Sequence, residues 1–212
     1  MLQKKTIGVL GAVLLCMAGL GLLNTSIAAC KHKVGAVLSL TGAYGAHGVP
    51  ISRAAQLGVE QVNEARAALG VGCDLVYDVR DSNTQASLAV DAARKLIDLE
   101  GVTALVGPIS SGITAPLLSS VTVEKDVLVV ATASTSSTFT QMAKRGETKG
   151  LFFRTLSSDS LQAVAAAMMA YQAGFRKPAI IYFNNDWGKN NQAGFIDAFK
   201  ALGGEIGNSV AF

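Results

Sequence analysis

Residues 34–70 read VGAVLSLTGAYGAHGVPISRAAQLGVEQVNEARAALG, and their pattern decides the fold. Val34 to Leu40 is a short apolar run with β-branched content, which suits a strand covered on both faces. Thr41 to Val49 is Gly-rich and predicts a loop. Pro50 suits the first turn of a helix, and Ala54, Leu57, Val59 and Val62 then recur at helical spacing. Ile51 to Leu69 is therefore predicted helical, with Gly70 and Gly72 ending it.

The same alternation repeats downstream. Leu75, Val76, Tyr77 and Val79 predict a second strand, and Asp81, Ser82 and Asn83 offer caps for a helix from Thr84 to Leu99. Leu88, Ala92, Leu96 and Leu99 form its expected buried stripe. Ala104 to Val106 predicts a third strand, followed by a helix through Leu117 and Val121, and Val127 to Ala131 a fourth. Thr132 to Thr140 reads as a polar loop and Phe152 to Thr155 as a short crossover. Ser158 to Ala173 is expected as an amphipathic helix, Ala179 to Phe183 as a strand, Trp187 to Leu202 as a helix and Ile206 to Phe212 as the start of a strand. Strands separated by helices of these lengths imply βαβ units and an α/β fold with parallel sheets. A composition shift at Leu151 to Ser157 marks the expected boundary between a domain at 30–150 and a partial one at 151–212.

Upstream, Lys4 and Lys5 precede an apolar, Gly-containing run from Ile7 to Leu23, then small residues Ala28 and Ala29. That order predicts a cleaved signal peptide at 1–29; an uncleaved membrane anchor is the alternative. Cleavage removes two lysines and no acid, lowering the formal charge of +3 by two. A near-neutral chain without a basic run argues against nucleic acid as partner. Ile27-Ala28-Ala29-Cys30 also fits a lipidation site. Cys30 and Cys73 each lie just before a predicted strand. If those strands are parallel neighbours, an oxidising compartment allows a disulfide between them, so the two fates of Cys30 compete.

In an open parallel sheet, ligands bind beyond the carboxyl ends of the strands. Thr41 to Gly48, Pro108 to Gly112 and Thr132 to Ser137 occupy such positions, and all are small and polar. Ser110-Ser111-Gly112 opens a helix, where amide groups and the helix dipole favour a carboxylate; an ordinary N-cap is the alternative. Ala133 to Thr135 offers carbonyls and a hydroxyl suited to an ammonium group. Gly42, Gly45 and Gly48 are spaced G-x-x-G-x-x-G, which is not the dinucleotide fingerprint, and no cofactor is expected. His47 can contact a ligand from the first loop, and Trp187, the only tryptophan, can lid one from a strand-to-helix junction. No nucleophile with an adjacent base and no metal-ligand cluster is visible, so an enzyme is not expected.

Val34 to Gly42, Arg80-Asp81-Ser82-Asn83, Ala92 to Ile97, Gly107 to Gly112, Ala131 to Ser134, Phe153-Arg154-Thr155 and Asp186-Trp187-Gly188 together resemble the branched-chain amino-acid (leucine-binding type) substrate-binding proteins of ABC transporters. The resemblance runs from Lys33 to Phe212. It implies the type I periplasmic-binding-protein fold, with two Rossmann-like lobes and the second incomplete here. It also implies a periplasmic location, a small-molecule ligand such as an amino acid, and a membrane permease as partner. A sensor of the same fold and an exported α/β enzyme are the competing readings. By resemblance Ser111 and Ser110 bind the α-carboxylate, Ala133 and Thr135 hold the α-ammonium and carboxylate, and Trp187 covers the ligand where the family often has Tyr. His47 falls where leucine-type members carry Tyr, so the side-chain pocket is expected to differ. Family members are longer than this chain, so the resemblance implies weak or no ligand binding by residues 30–212 alone and uncovered apolar faces.

Overall fold

The computed structural model describes residues 30–212; the expected signal segment at 1–29, with its alternative as an anchor, lies outside them. Among the described residues no helix is long and apolar enough to cross a membrane. Seven strands run β1 (Lys31–Leu38), β2 (Asp74–Asp81), β3 (Ala104–Val106), β4 (Leu128–Ala131), β5 (Phe152–Arg154), β6 (Ile180–Tyr182) and β7 (Ser209–Ala211). Between them lie α1 (Gly45–Ala68), α2 (Ala86–Asp98), α3 (Ser111–Leu117), α4 (Ser137–Lys144), α5 (Ser160–Gln172) and α6 (Asp186–Ala201). The first five strands form one parallel sheet in the order β2-β1-β3-β4-β5, and β6 pairs with β7, also parallel. This is the α/β architecture that the strand–helix alternation requires.

β1 is an interior strand between β2 and β3, and its last four residues are buried. On one face Val37, Leu105 and Val129 meet Ala89, Ala93 and Leu96 of α2 and Ile113 and Leu117 of α3. On the other, Ala36, Leu38 and Ile109 pack with Tyr44, Ile51, Tyr77 and Val79. β2 is an edge strand, and Asn63 of α1 blunts it. Its amide donates to the Leu75 carbonyl at 2.9 Å and accepts from the Leu75 N–H at 2.8 Å.

Six expectations need correction. α1 starts at Gly45, before Pro50, so much of the predicted first loop is helical. Pro50 sits early enough to cost one intrahelical bond without ending the helix. The predicted apolar stripe of α1 is also turned outward: Leu57 and Val62 are exposed, and the strand-facing side carries Ser52 and Asn63 instead. In α2 the buried stripe is Ala89, Ala92, Ala93 and Leu96, while Leu88 and Leu99 are exposed. The chain turns at Gly101 with φ +70°, the Val102 N–H bonds the Leu96 carbonyl, and buried Val102 fills the place expected for Leu99. The Ser/Thr tract is a loop only to Ser136; that hydroxyl caps α4 by accepting from the Thr138 N–H at 3.2 Å. α5 is not amphipathic: Ala163 and Ala167 are buried, but Leu161, Val164, Met168 and Met169 are all exposed.

The expected crossover at Phe152 is the fifth strand of the first sheet, paired with β4 through Val129↔Phe152 and Ala131↔Arg154. The change of sheet therefore falls after Arg154. On the second sheet Ile181, Val210 and Phe212 remain exposed.

Candidate functional site

The first loop is organised by one carboxylate at the end of β2. Asp81 Oδ1 accepts from the backbone N–H groups of Leu40 at 2.8 Å, Thr41 at 3.2 Å and Asn83 at 2.8 Å, and Oδ2 accepts the Thr41 hydroxyl. Thr84 extends the grip: its hydroxyl donates to the Thr41 carbonyl and accepts from the Tyr44 N–H. Burial pushes the Asp81 pKa up, but the hydrogen bonds from Thr41, Asn83 and Leu40 outweigh it and hold the carboxyl below its ordinary value of 3.8. A lowered carboxyl stabilises the fold above its ordinary pKa, and that support is lost as the pH falls through the lower native value. Asp81→Asn should therefore loosen residues 40–44 at neutral pH and abolish the acid-dependent part of their ordering. The cost should stay under about 1 kcal/mol because the group is exposed. Amide exchange at Leu40, Thr41 and Asn83 across pH 2–6 checks this; identical pH profiles in the two proteins would sink it.

A second grid fixes the Ser/Thr loop. Ser134, Ser136 and Thr114 are buried. The Thr114 and Ser134 hydroxyls bond each other at 2.6 Å, and Ser134 Oγ lies 3.3 Å from the carbonyls of Pro108 and Ile109. Arg154 of β5 donates to the carbonyls of Ser134 and Ser136 and to the Thr140 hydroxyl. Burial lowers the Arg154 pKa, and attraction to Asp159 opposes that. The loops after β3 and β4 are thus held as one unit.

These loops border a cavity of about 470 Å³, within the range of small-ligand sites. The first sheet supplies Ile109, Ser110, Ser111 and Ala133 as its floor. The start of α1 and the turn before it add Tyr44, His47 and Ile51, and the second sheet adds Phe183 and Trp187 opposite. Ser110 occupies the N-cap of α3 but makes no side-chain cap bond, so its hydroxyl is not spent as an ordinary cap. Ser111 is buried, and its Oγ accepts the Ser136 N–H at 3.2 Å. Phe183 and Trp187 stand tilted with ring centroids 6.2 Å apart; Tyr44 and His47 are 6.4 Å apart.

Of the residues singled out in the sequence, Ser110, Ser111, Ala133, His47 and Trp187 share this cavity. Thr135 does not: its hydroxyl donates to Asp159 Oδ2. Tyr44, Ile51, Ile109 and Phe183 were missed. An aromatic inside the Gly-rich turn was the available signal for Tyr44, and one just past a strand was that for Phe183. Both cysteines among the described residues, Cys30 and Cys73, are disulfide-bonded, which leaves neither as a thiolate for a metal.

Helices α4 and α6 also meet through polar contacts. Ser137 donates to Asn190 at 3.0 Å, and Thr138 donates to Asp186 Oδ1 at 2.9 Å. A parallel α/β sheet carrying rigid polar loops at its carboxyl edge, faced across a cavity by aromatics from a second sheet, defines the type I periplasmic-binding-protein class. The chain belongs to the periplasmic binding protein family, matching it over residues 31–212. It is 33% identical over 169 residues to the Leu/Ile/Val-binding protein BraC3 of Rhizobium johnstonii, covering 79% of this chain and 42% of the relative. The leucine-binding protein LivK of Thermotoga maritima superposes with a TM-score of 0.68 at 26% identity, over 85% of this chain and 49% of that one. An R. palustris ABC-transporter solute-binding protein in complex with benzoate superposes at 0.69 and 21% identity, over 86% of this chain and 48% of that one, a likeness of fold. The chain spans about half the length of the relatives it matches.

Proposed function

We propose that this chain carries the ligand-gripping part of an extracytoplasmic solute receptor, which hands a small carboxylate, first of all a branched-chain amino acid, to an ABC permease. The observation that carries this reading is the cavity itself, with serines at one end and apolar or aromatic walls around it. Ser110, Ser111 and the first-turn amides of α3 take the ligand carboxylate. The Ala133 carbonyl takes an ammonium group, and Thr135, turned to Asp159, acts from behind the loop. Tyr44, Ile51, Phe183 and Trp187 bury the side chain. Affinity comes from the preformed polar floor and from closure of the aromatic wall over it. No step in this role requires a reaction, in keeping with relatives that are binding proteins. The four aromatic rings of the wall, counting His47, favour a second reading in which the ligand is an aromatic carboxylate.

Titration of the labelled protein with leucine, isoleucine, valine and benzoate, followed by amide shifts, tests both readings. A dissociation constant of ~1 mM is expected, with shifts confined to the loops after β1, β3 and β4 and to Trp187. Ser110→Ala should weaken it about tenfold through loss of a bond to a charged group. Saturation by benzoate alone would move the assignment to the second reading. Shifts scattered away from the cavity, or none at all, would remove both.

Export to an oxidising compartment accompanies this role, with residues 1–29 as its signal. We propose that Cys30 and Cys73 pair with each other. The parallel register Lys31↔Asp74 supports this, because the two cysteines directly precede those residues. A bonded sulfur carries no lipid thioether, so this pairing excludes lipidation of Cys30. Non-reducing peptide mapping of the exported protein should recover the two cysteines in one linked fragment; a diacylglyceryl mass on Cys30 would overturn the pairing.

A further inference from the structure

We propose that Asp159 is the positioning residue of the aromatic wall: its carboxylate fixes the Trp187 indole and, through Thr135, ties that wall to the polar loop of the first sheet. Asp159 occupies the N-cap of α5, where an aspartate ordinarily accepts from first-turn amides. It makes no such bond. Its Oδ2 accepts instead from Trp187 Nε1–H at 2.6 Å, from the Thr135 hydroxyl, and from Asn191 Nδ2 at 3.5 Å. The Asp159 N–H donates to the Thr135 carbonyl at 2.9 Å, so acid and loop are joined through both backbone and side chain. Asn191, one turn along α6, also donates to the Trp187 backbone carbonyl at 3.1 Å, so its amide links Asp159 to the first turn of that helix.

A charge-assisted bond at the edge of an indole selects one orientation of the ring, because rotation about its side-chain torsions swings the N–H away from the acceptor. Phe183 packs on the same ring. Trp187 therefore meets the cavity as a fixed wall. Any movement of α6 against the first sheet must carry Asp159 along or break this bond. Thr135 thus acts one step removed from the cavity, through Asp159 to Trp187. The positioning role stands on these contacts alone; its use in ligand closure rests on the binding reading above.

Trp187 is the only tryptophan in the chain, so a single indole N–H resonance and the whole tryptophan emission report on it. In the ¹⁵N-labelled protein that resonance should lie downfield of free indole and exchange at least about tenfold more slowly, as loss of a bond to a charged acceptor costs a factor of this size or more. Asp159→Ala should return the exchange rate toward that of free indole, a rise of about tenfold, and increase iodide quenching of the emission. A folded Asp159→Ala protein with unchanged resonance and exchange overturns the proposal. If that variant does not fold, the wild-type protein still decides, because an indole N–H exchanging as fast as free indole excludes the bond. Neither measurement needs a ligand, so a failure of solute binding would leave the positioning role standing.

Discussion

Phe139→Ala is expected to remove about 4 kcal/mol of folding stability, the middle of the range for deleting a buried phenylalanine. The ring is 1% exposed and lies 4.9 Å from Phe152, tilted against it, within the main core cluster. At a slope of ~2 kcal/mol per molar, the urea midpoint should fall by about 2 M. The damage is not confined to the core. Phe139 anchors α4, whose cap Ser136 presents its carbonyl to Arg154, so the Ser/Thr loop at the cavity floor loses its backing. Chemical denaturation followed by circular dichroism reads the first effect, and amide exchange at Ser136 and Thr138 reads the second. A loss below about 1 kcal/mol would mean that the ring is not part of a packed interior.

Gly48→Ala is the second large effect, about 3 kcal/mol, at the upper end of what overpacking ordinarily costs. A Cβ built on Gly48 would stand 1.8 Å from the Ser39 carbonyl oxygen, and backbone cannot swing aside as a side chain can. The start of α1 must then lift off the end of β1. Tyr44, His47 and Ile51 flank this contact and line the cavity, so the cavity wall moves with it. The expected result is a lower denaturation midpoint together with shifted amides in residues 40–51. An unchanged midpoint would show that α1 and β1 do not approach this closely.

The order of strands and helices could be read in the sequence because β-branched runs, capping residues and glycines mark local preferences that the tertiary structure respects. What escaped that reading depends on contacts between distant segments. Gly42, Gly45 and Gly48 look like loop residues in isolation, but Gly48 is glycine because a strand carbonyl presses on it. Leu99 fits the helical stripe of α2, yet the helix ends there and Val102 takes the buried place. The Ser/Thr tract hides α4 because the hydroxyl that caps it looks like one more polar loop residue. At the site, Ser110, Ser111, Ala133, His47 and Trp187 could be picked out because they sit just past strand ends. Asp159 could not, since its partners Thr135 and Trp187 lie 24 and 28 positions away. Thr135 stands outside the cavity lining for the same reason: a hydroxyl two residues from a cavity wall can be claimed by an acid the local sequence does not reveal.

The cavity divides its labour between two sets of residues. Arg154, Ser134, Thr114 and Asp81 hold the loops in shape, whereas His47, Phe183 and Trp187 face the space and belong to neither core cluster. Such a partition makes the molecule evolvable. Under the binding role proposed above, mutations at positions 47, 183 and 187 redraw the outline of the ligand and leave both core clusters intact, so one inherited frame is retargeted to new solutes by few steps. The same three positions are the natural choice for a randomised library aimed at new biosensors.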